Sequence, residues 1–123
     1  MTKKIHLIIG LPGSGKTHYA NTVLRHLPLV DDIAYIKQLP INGDFVLTDV
    51  NFCDERVLDM AISLLHQKYP TAEITKIYFE NDTEKARANV IRRNDGRNVE
   101  GTILRFAPIY KPPADALKIY ADK

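Results

Sequence analysis

Eight consecutive residues, Gly10-Leu11-Pro12-Gly13-Ser14-Gly15-Lys16-Thr17, combine the types that hold a polyphosphate. Glycines at 10, 13 and 15 let the backbone curl so that successive N–H groups turn inward toward anionic oxygens. A helix starting near Gly15 would aim the positive end of its dipole at the same point. Lys16 would then reach the β- and γ-phosphates of a nucleoside triphosphate, and the Thr17 hydroxyl would ligate Mg²⁺. The string fits G-x-x-x-x-G-K-[ST] at every position. Pro12, Ser14 and the following His18 complete the residues expected to line a bound ATP. Such a string also occurs by chance in unrelated loops, but here an apolar strand precedes it and a helix follows.

Carboxylates supply the next chemistry. Asp49 closes the run Phe45-Val46-Leu47-Thr48, where an acid orders the Mg²⁺ shell and contacts the Thr17 hydroxyl; the plainer role is a turn aspartate capping the next helix. Asn51 reads as a helix cap rather than a substrate contact. Asp31 and Asp32 are adjacent on an extended segment, so they point to opposite faces and only one can look into a site. One of them would orient and deprotonate an acceptor hydroxyl. Asp31 is the choice and Asp32 the alternative; a solvated loop pair is the plainer reading.

Arginines come third. Arg92-Arg93-Asn94-Asp95-Gly96-Arg97 has the form of a lid over about residues 92–101. Guanidinium groups bind phosphate bidentately and stay charged, and closure would exclude water and bring positive charge to a migrating phosphoryl group. Arg93 and Arg97 are the expected contacts. The plainer reading is a helix end with favourable C-terminal cations. A nucleic-acid face is the other reading, but no aromatic side chains interleave with these arginines.

The elements that must position these groups follow from periodicity and breakers. Lys4 to Ile9 is an apolar strand, and a helix then runs to about Leu27, closed by Pro28. A short strand, Leu29-Val30-Asp31-Asp32, ends in the carboxylates, and Pro40 and Asn42-Gly43 mark turns in the irregular stretch that follows. After the buried strand ending at Asp49, Val57, Leu58, Ala61, Ile62, Leu64 and Leu65 define an amphipathic helix that Tyr69-Pro70 stops. Ile74 to Phe79 is a further strand. Asn81 with Glu84 predicts a capped helix to about Asn94, and a short helix follows from about Thr102 to Ala107. Lys111-Pro112-Pro113 marks a boundary before a short tail, 111–123.

Strands alternating with helices predict a single three-layer α/β/α domain with a mostly parallel sheet of four to five strands. Right-handed crossovers put the strand ends at Gly10, Asp31/Asp32 and Asp49 on one edge. The chain has 123 residues, 45% hydrophobic and 26% charged, which fits one globular domain. Its formal net charge is +2, unevenly spread. Residues 31–59 carry a net −5 and residues 85–105 a net +4, a division suited to a cation and a polyphosphate held together. Cys53 is the sole cysteine, so no intramolecular disulfide forms and a cytoplasmic setting is expected. No apolar run is long enough for a membrane span, and no signal-peptide layout is present. His6, His18, His26 and His66 lack metal-ligand spacing.

No N-K-x-D element and no D-x-x-G after the core strand are present, which argues against a signalling GTPase. Gly10 to Thr17, Asp31-Asp32, Leu47-Thr48-Asp49-Val50-Asn51 and the arginine-rich stretch to Arg97 together resemble the phage-type polynucleotide kinase and its small P-loop kinase relatives, over most of residues 3–110. The resemblance implies transfer of the γ-phosphoryl group of ATP, with Mg²⁺, to a hydroxyl. It implies that Lys16 and Thr17 serve phosphate and Mg²⁺, that Asp31 is the general base, that Asp49 is the core-strand acid and that residues 92–97 form the lid. Two departures weaken a polynucleotide acceptor. Val30 replaces a basic residue, and the segment from Asp32 to Asp44 is too short for the helical insertion that shapes a nucleic-acid channel.

The expected activity is therefore that of a kinase acting on a nucleoside, an oligonucleotide 5′ end or a small metabolite. The alternatives are an ATP-binding switch or slow ATPase acting through a protein partner, and a nucleic-acid-binding module using the 87–105 face. The Asp31/Asp32 pair favours the kinase, because a switch needs no acceptor base.

Overall fold

The computed structural model describes residues 3–30, 43–93 and 100–119. Within them the chain runs β1 (Lys4–Ile9), α1 (Lys16–Thr22), β2 (Leu29–Val30), β3 (Phe45–Thr48), one 3-10 turn (Val50–Cys53), α2 (Glu55–Lys68), β4 (Glu73–Tyr78), α3 (Thr83–Arg93) and α4 (Glu100–Phe106). The four strands form one sheet in the order β2-β3-β1-β4, and every pairing is parallel. β1 and β3 run in register from Ile5 opposite Phe45 to Ile8 opposite Thr48. Both therefore deliver their next residues, Ile9-Gly10 and Asp49, to the same edge.

Alternation along the two central strands builds a core on each face. Ile5, Leu7 and Ile9 of β1 join Phe45 and Leu47 of β3 on one side. There they meet Leu58, Ala61 and Leu65 of α2, Ala86 of α3, and Ile103 and Phe106 of α4. Ile8 and Val46 point the other way, to Phe79 and to Ala20 of α1, with Tyr19 and Leu24 packed alongside. Ile5, Leu7, Phe45 and Leu47 are fully buried, each contributing roughly 1.5–3 kcal/mol of hydrophobic stabilisation. The sheet is thus covered on both faces, as the three-layer expectation required, with α1 the one described helix on the second face.

Several boundaries differ from the sequence expectation, each for a local reason. α1 ends at Thr22 rather than near Leu27. The Thr22 hydroxyl donates back to the carbonyls of His18 and Tyr19, competing with the helix ladder, and Leu24 and Leu27 reach the core from turns beyond it. α3 is capped by Asp82, whose carboxylate accepts the Lys85 N–H at 3.0 Å; Asn81 instead donates to the carbonyls of Ala107 and Tyr110. The segment after the Pro112-Pro113 boundary is no loose tail over its described part. Leu117 makes a parallel bridge to Phe79, its N–H donating to Tyr78 O and its carbonyl accepting from Glu80 N–H, both at 2.8 Å. Ile119 beside it is buried.

The strand order also locates a crevice. The chain leaves β1 by α1 for β2 on one side, and leaves β3 by α2 for β4 on the other. The carboxyl ends of β1 and β3 therefore flank the topological switch point, where open parallel sheets bind ligands.

Candidate functional site

Residues 10–15 bridge β1 and α1 at that switch point. Gly13 and Gly15 have φ of 83° and 98°, left-handed conformations that residues with a Cβ rarely adopt. Gly10 has little room for a side chain: a Cβ there would lie 2.5 Å from Ser14 Oγ and 3.1 Å from Phe79 Cβ, so either neighbour would have to shift. Gly15 starts α1 with no side-chain cap. Lys16 folds back over the loop, its ammonium donating to the carbonyls of Gly10 at 2.6 Å and Leu11 at 3.0 Å. Thr17 and His18 are exposed on the first turn of α1, and Pro12 is half-buried.

One polar atom in the loop stands out. Ser14 is fully buried, and its hydroxyl has no hydrogen-bond partner among the described residues. A buried unsatisfied hydroxyl costs about 1–3 kcal/mol, which a polar ligand in the loop would offset.

Asp49, next along from Thr48, is 6% exposed. Its Oδ1 accepts both the backbone N–H and the side-chain amide of Asn51, each at 2.8 Å. Asn51 is thus the residue being capped, not the cap expected from sequence; α2 is capped separately by Asp54, which accepts the Arg56 N–H. The carboxylate of Asp49 therefore does the work of a turn cap at the position where the site needs an acid. The two roles are compatible, since a carboxylate offers about four lone-pair directions.

Cys53, at the end of the 3-10 turn, shows how closely these pieces converge. Burial pushes its thiol up to about 12, opposed by the Lys16 charge and by a hydrogen bond from the Gly10 backbone, and reinforced by the Asp49 carboxylate. The buried sulfur thus accepts from the loop's first glycine and lies in the fields of its lysine and of the strand-end acid. The thiol stays protonated at neutral pH and acts as packing beneath the loop.

Two further residues support the loop and were not anticipated. Tyr110 is buried, and its hydroxyl lies on the carbonyls of Ile9, at 3.1 Å, and Phe79. Burial holds its phenol well above the usual range. Asn89 of α3 donates to the Gly13 carbonyl at 2.8 Å. Its only sequence signal is register: Asn89 follows Ala86 and precedes Val90 on the side of α3 that packs inward, where a polar residue needs a partner.

Lys16, Thr17, Ser14 and the glycines are thus brought together with Asp49 on adjacent strand ends. Arg93 is the last residue of α3. Asp31, Asp32 and Arg97 lie outside the described residues. Among the described residues no group of three or more His, Cys, Asp or Glu side chains is arranged to hold a metal ion. Thr17 and Asp49 suit a cation that takes its remaining ligands from phosphate and water. No helix of the described residues is long and apolar enough to cross a membrane.

No family model matches the chain. Over 107 residues it is 30% identical to an uncharacterized protein of Acanthamoeba polyphaga mimivirus, a match spanning 79% of this chain and 78% of that one. The chain belongs to the same family as this mimivirus protein.

Proposed function

We propose that the protein is an ATP-dependent phosphotransferase that moves the γ-phosphoryl group of ATP to a hydroxyl. The observation that carries this reading is the loop from Gly10 to Thr17 at the switch point, with its buried, unpartnered Ser14 hydroxyl and the Lys16 ammonium turned onto it. Backbone N–H groups and the start of α1 hold the phosphates. Lys16 exchanges the carbonyls of Gly10 and Leu11 for β- and γ-phosphate oxygens, a trade of neutral acceptors for charged ones. Thr17 and Asp49 would hold Mg²⁺. The ion, when bound, neutralises phosphate charge and orients the triphosphate.

The acceptor side rests on the sequence. Asp31, or Asp32 in its place, accepts the proton of the acceptor hydroxyl, and Arg93 and Arg97 supply charge to the migrating group. The acceptor is a nucleoside, an oligonucleotide 5′ end or a small metabolite.

The test is transfer of label from γ-labelled ATP to a panel of nucleosides, 5′-hydroxyl oligonucleotides and small alcohols. Wild type is compared with Lys16→Ala, Asp31→Asn and Asp32→Asn. Transfer abolished in one aspartate variant that still binds ATP supports the reading and names the base. If no acceptor is labelled and both aspartate variants hydrolyse ATP as wild type does, the protein is an ATP-dependent switch and the kinase reading fails.

A further inference from the structure

The phosphate loop is gripped by a helix that contributes nothing to its motif. Asn89 donates from Nδ2 to the Gly13 carbonyl at 2.8 Å, across 76 positions of chain. The same helix presses on the same residue: a Cβ built on Gly13 would lie 2.3 Å from the Ala86 carbonyl oxygen and 2.9 Å from Val90 Cγ2. α3 is itself anchored. Asp82 caps its start, and Asn81 just before it holds the carbonyls of Ala107 and Tyr110. Tyr110 in turn reaches the Ile9 carbonyl at the root of the loop. The loop is thus fixed at its crown by Asn89 and at its root by Tyr110.

This matters because of how a peptide group is built. In a trans peptide the C=O and the N–H point to opposite sides. Tying the Gly13 carbonyl to α3 therefore turns the Ser14 N–H the other way, into the loop, where it meets the Leu11 carbonyl at 3.1 Å. An N–H held in that direction can be taken over by a phosphate oxygen. A peptide free to flip would present its carbonyl oxygen to the phosphate instead, and a glycine at position 13 makes such a flip easy.

We propose that Asn89 is a positioning residue for the nucleotide: it holds the Gly13–Ser14 peptide in the orientation that accepts a phosphate, so that α3 sets the affinity of the loop for polyphosphate. The inference rests on the ATP-binding reading. Asn89 acts through the backbone and touches no reacting atom.

Calorimetric titration with ATP and with inorganic tripolyphosphate tests it, on wild type, Asn89→Ala, Asn89→Leu, Asn89→Gln and Lys16→Ala. Loss of the amide donor in the Ala and Leu variants raises Kd for both ligands by the same factor, about five- to tenfold. Asn89→Gln, which keeps an amide donor, recovers part of the loss. Unchanged Kd in Asn89→Ala and Asn89→Leu, beside wild-type binding that depends on Lys16, overturns the inference alone. So does weakened ATP binding with unchanged tripolyphosphate binding, which would put the effect away from the phosphates. A lowered melting temperature with unchanged Kd would show a merely structural role and overturn it too. Wild type that binds neither ligand, or Lys16→Ala that binds both unchanged, overturns the ATP reading and the inference with it.

Discussion

Two strand-to-helix turns meet at one edge of the sheet, and they begin their helices in opposite ways. After β3, Asp49 caps the 3-10 turn through the Asn51 N–H, and Asp54 caps α2 through the Arg56 N–H. After β1, α1 begins at a left-handed glycine with no side-chain cap. The first turn meets its own needs with carboxylates, as helix starts usually do. The second carries a buried hydroxyl with no partner among the described residues and a lysine resting on backbone carbonyls. A turn completed by its own side chains can stand without a ligand. A turn that leaves polar capacity unspent at a switch point has donors and acceptors to offer a ligand.

The largest effect that would break this contrast comes from Lys16→Ala. Its ammonium bonds to the carbonyls of Gly10 and Leu11 and its side chain is no part of the apolar core, so the fold should persist. Phosphoryl transfer should fall by at least about 100-fold, the scale for removing one cation or donor that stabilises transition-state charge. A single-turnover assay with labelled ATP reads it. Transfer within threefold of wild type would remove the loop's claim to chemistry.

Gly13→Ala attacks the same turn through its backbone. The left-handed φ of 83° and the 2.3 Å approach to the Ala86 carbonyl together should cost about 3 kcal/mol, a melting temperature lower by on the order of 10 °C. Melting within a degree of wild type would mean that α3 does not bear on the loop.

That second prediction involves a contact the sequence hid. The loop, the acid at Asp49 and the stripe of α2, apart from Leu64, which turns out exposed, were legible because each is local: a fixed string, a strand end, a helical period. The stop at Tyr69-Pro70 was legible for the same reason. Asn89 on Gly13 and Tyr110 on Ile9 join residues 76 and 101 positions apart, and no local pattern specifies such pairs. Cys53 read only as the sole cysteine, and only folding buries it beneath Gly10. The tail after Pro112-Pro113 misled for the opposite reason. Its breakers mark a boundary in the chain, yet main-chain bonds at Leu117 return it to β4.

Within the β3 turn, the cap and the metal role of Asp49 can be separated. Asn caps a turn about as well as Asp, and it keeps an oxygen for the Asn51 N–H. Asp49→Asn should therefore melt within about 0.5 kcal/mol of wild type. Its loss of negative charge should lower Mg²⁺-dependent transfer on the order of tenfold to a hundredfold, with a higher Mg²⁺ concentration needed for half-maximal rate. A Mg²⁺ titration indistinguishable from wild type would leave Asp49 as a cap alone.

Asp54 supplies the smallest effect and the cleanest control, because it caps α2 at the same edge and its carboxylate engages Arg56. Its carboxyl is held below the usual carboxylate range, first by the Arg56 side chain and then by the Arg56 backbone N–H. The folded state thus favours the charged form. The cap's contribution is full above the unfolded value near 3.8 and disappears as pH falls through the lower folded value. Asp54→Ala should melt a few degrees below wild type at pH 7 and alongside it in strong acid, with phosphoryl transfer unchanged throughout. If transfer fell with the cap, the two turns would be one coupled unit, and the contrast between a helix start that caps itself and one left open to a ligand would have to be given up.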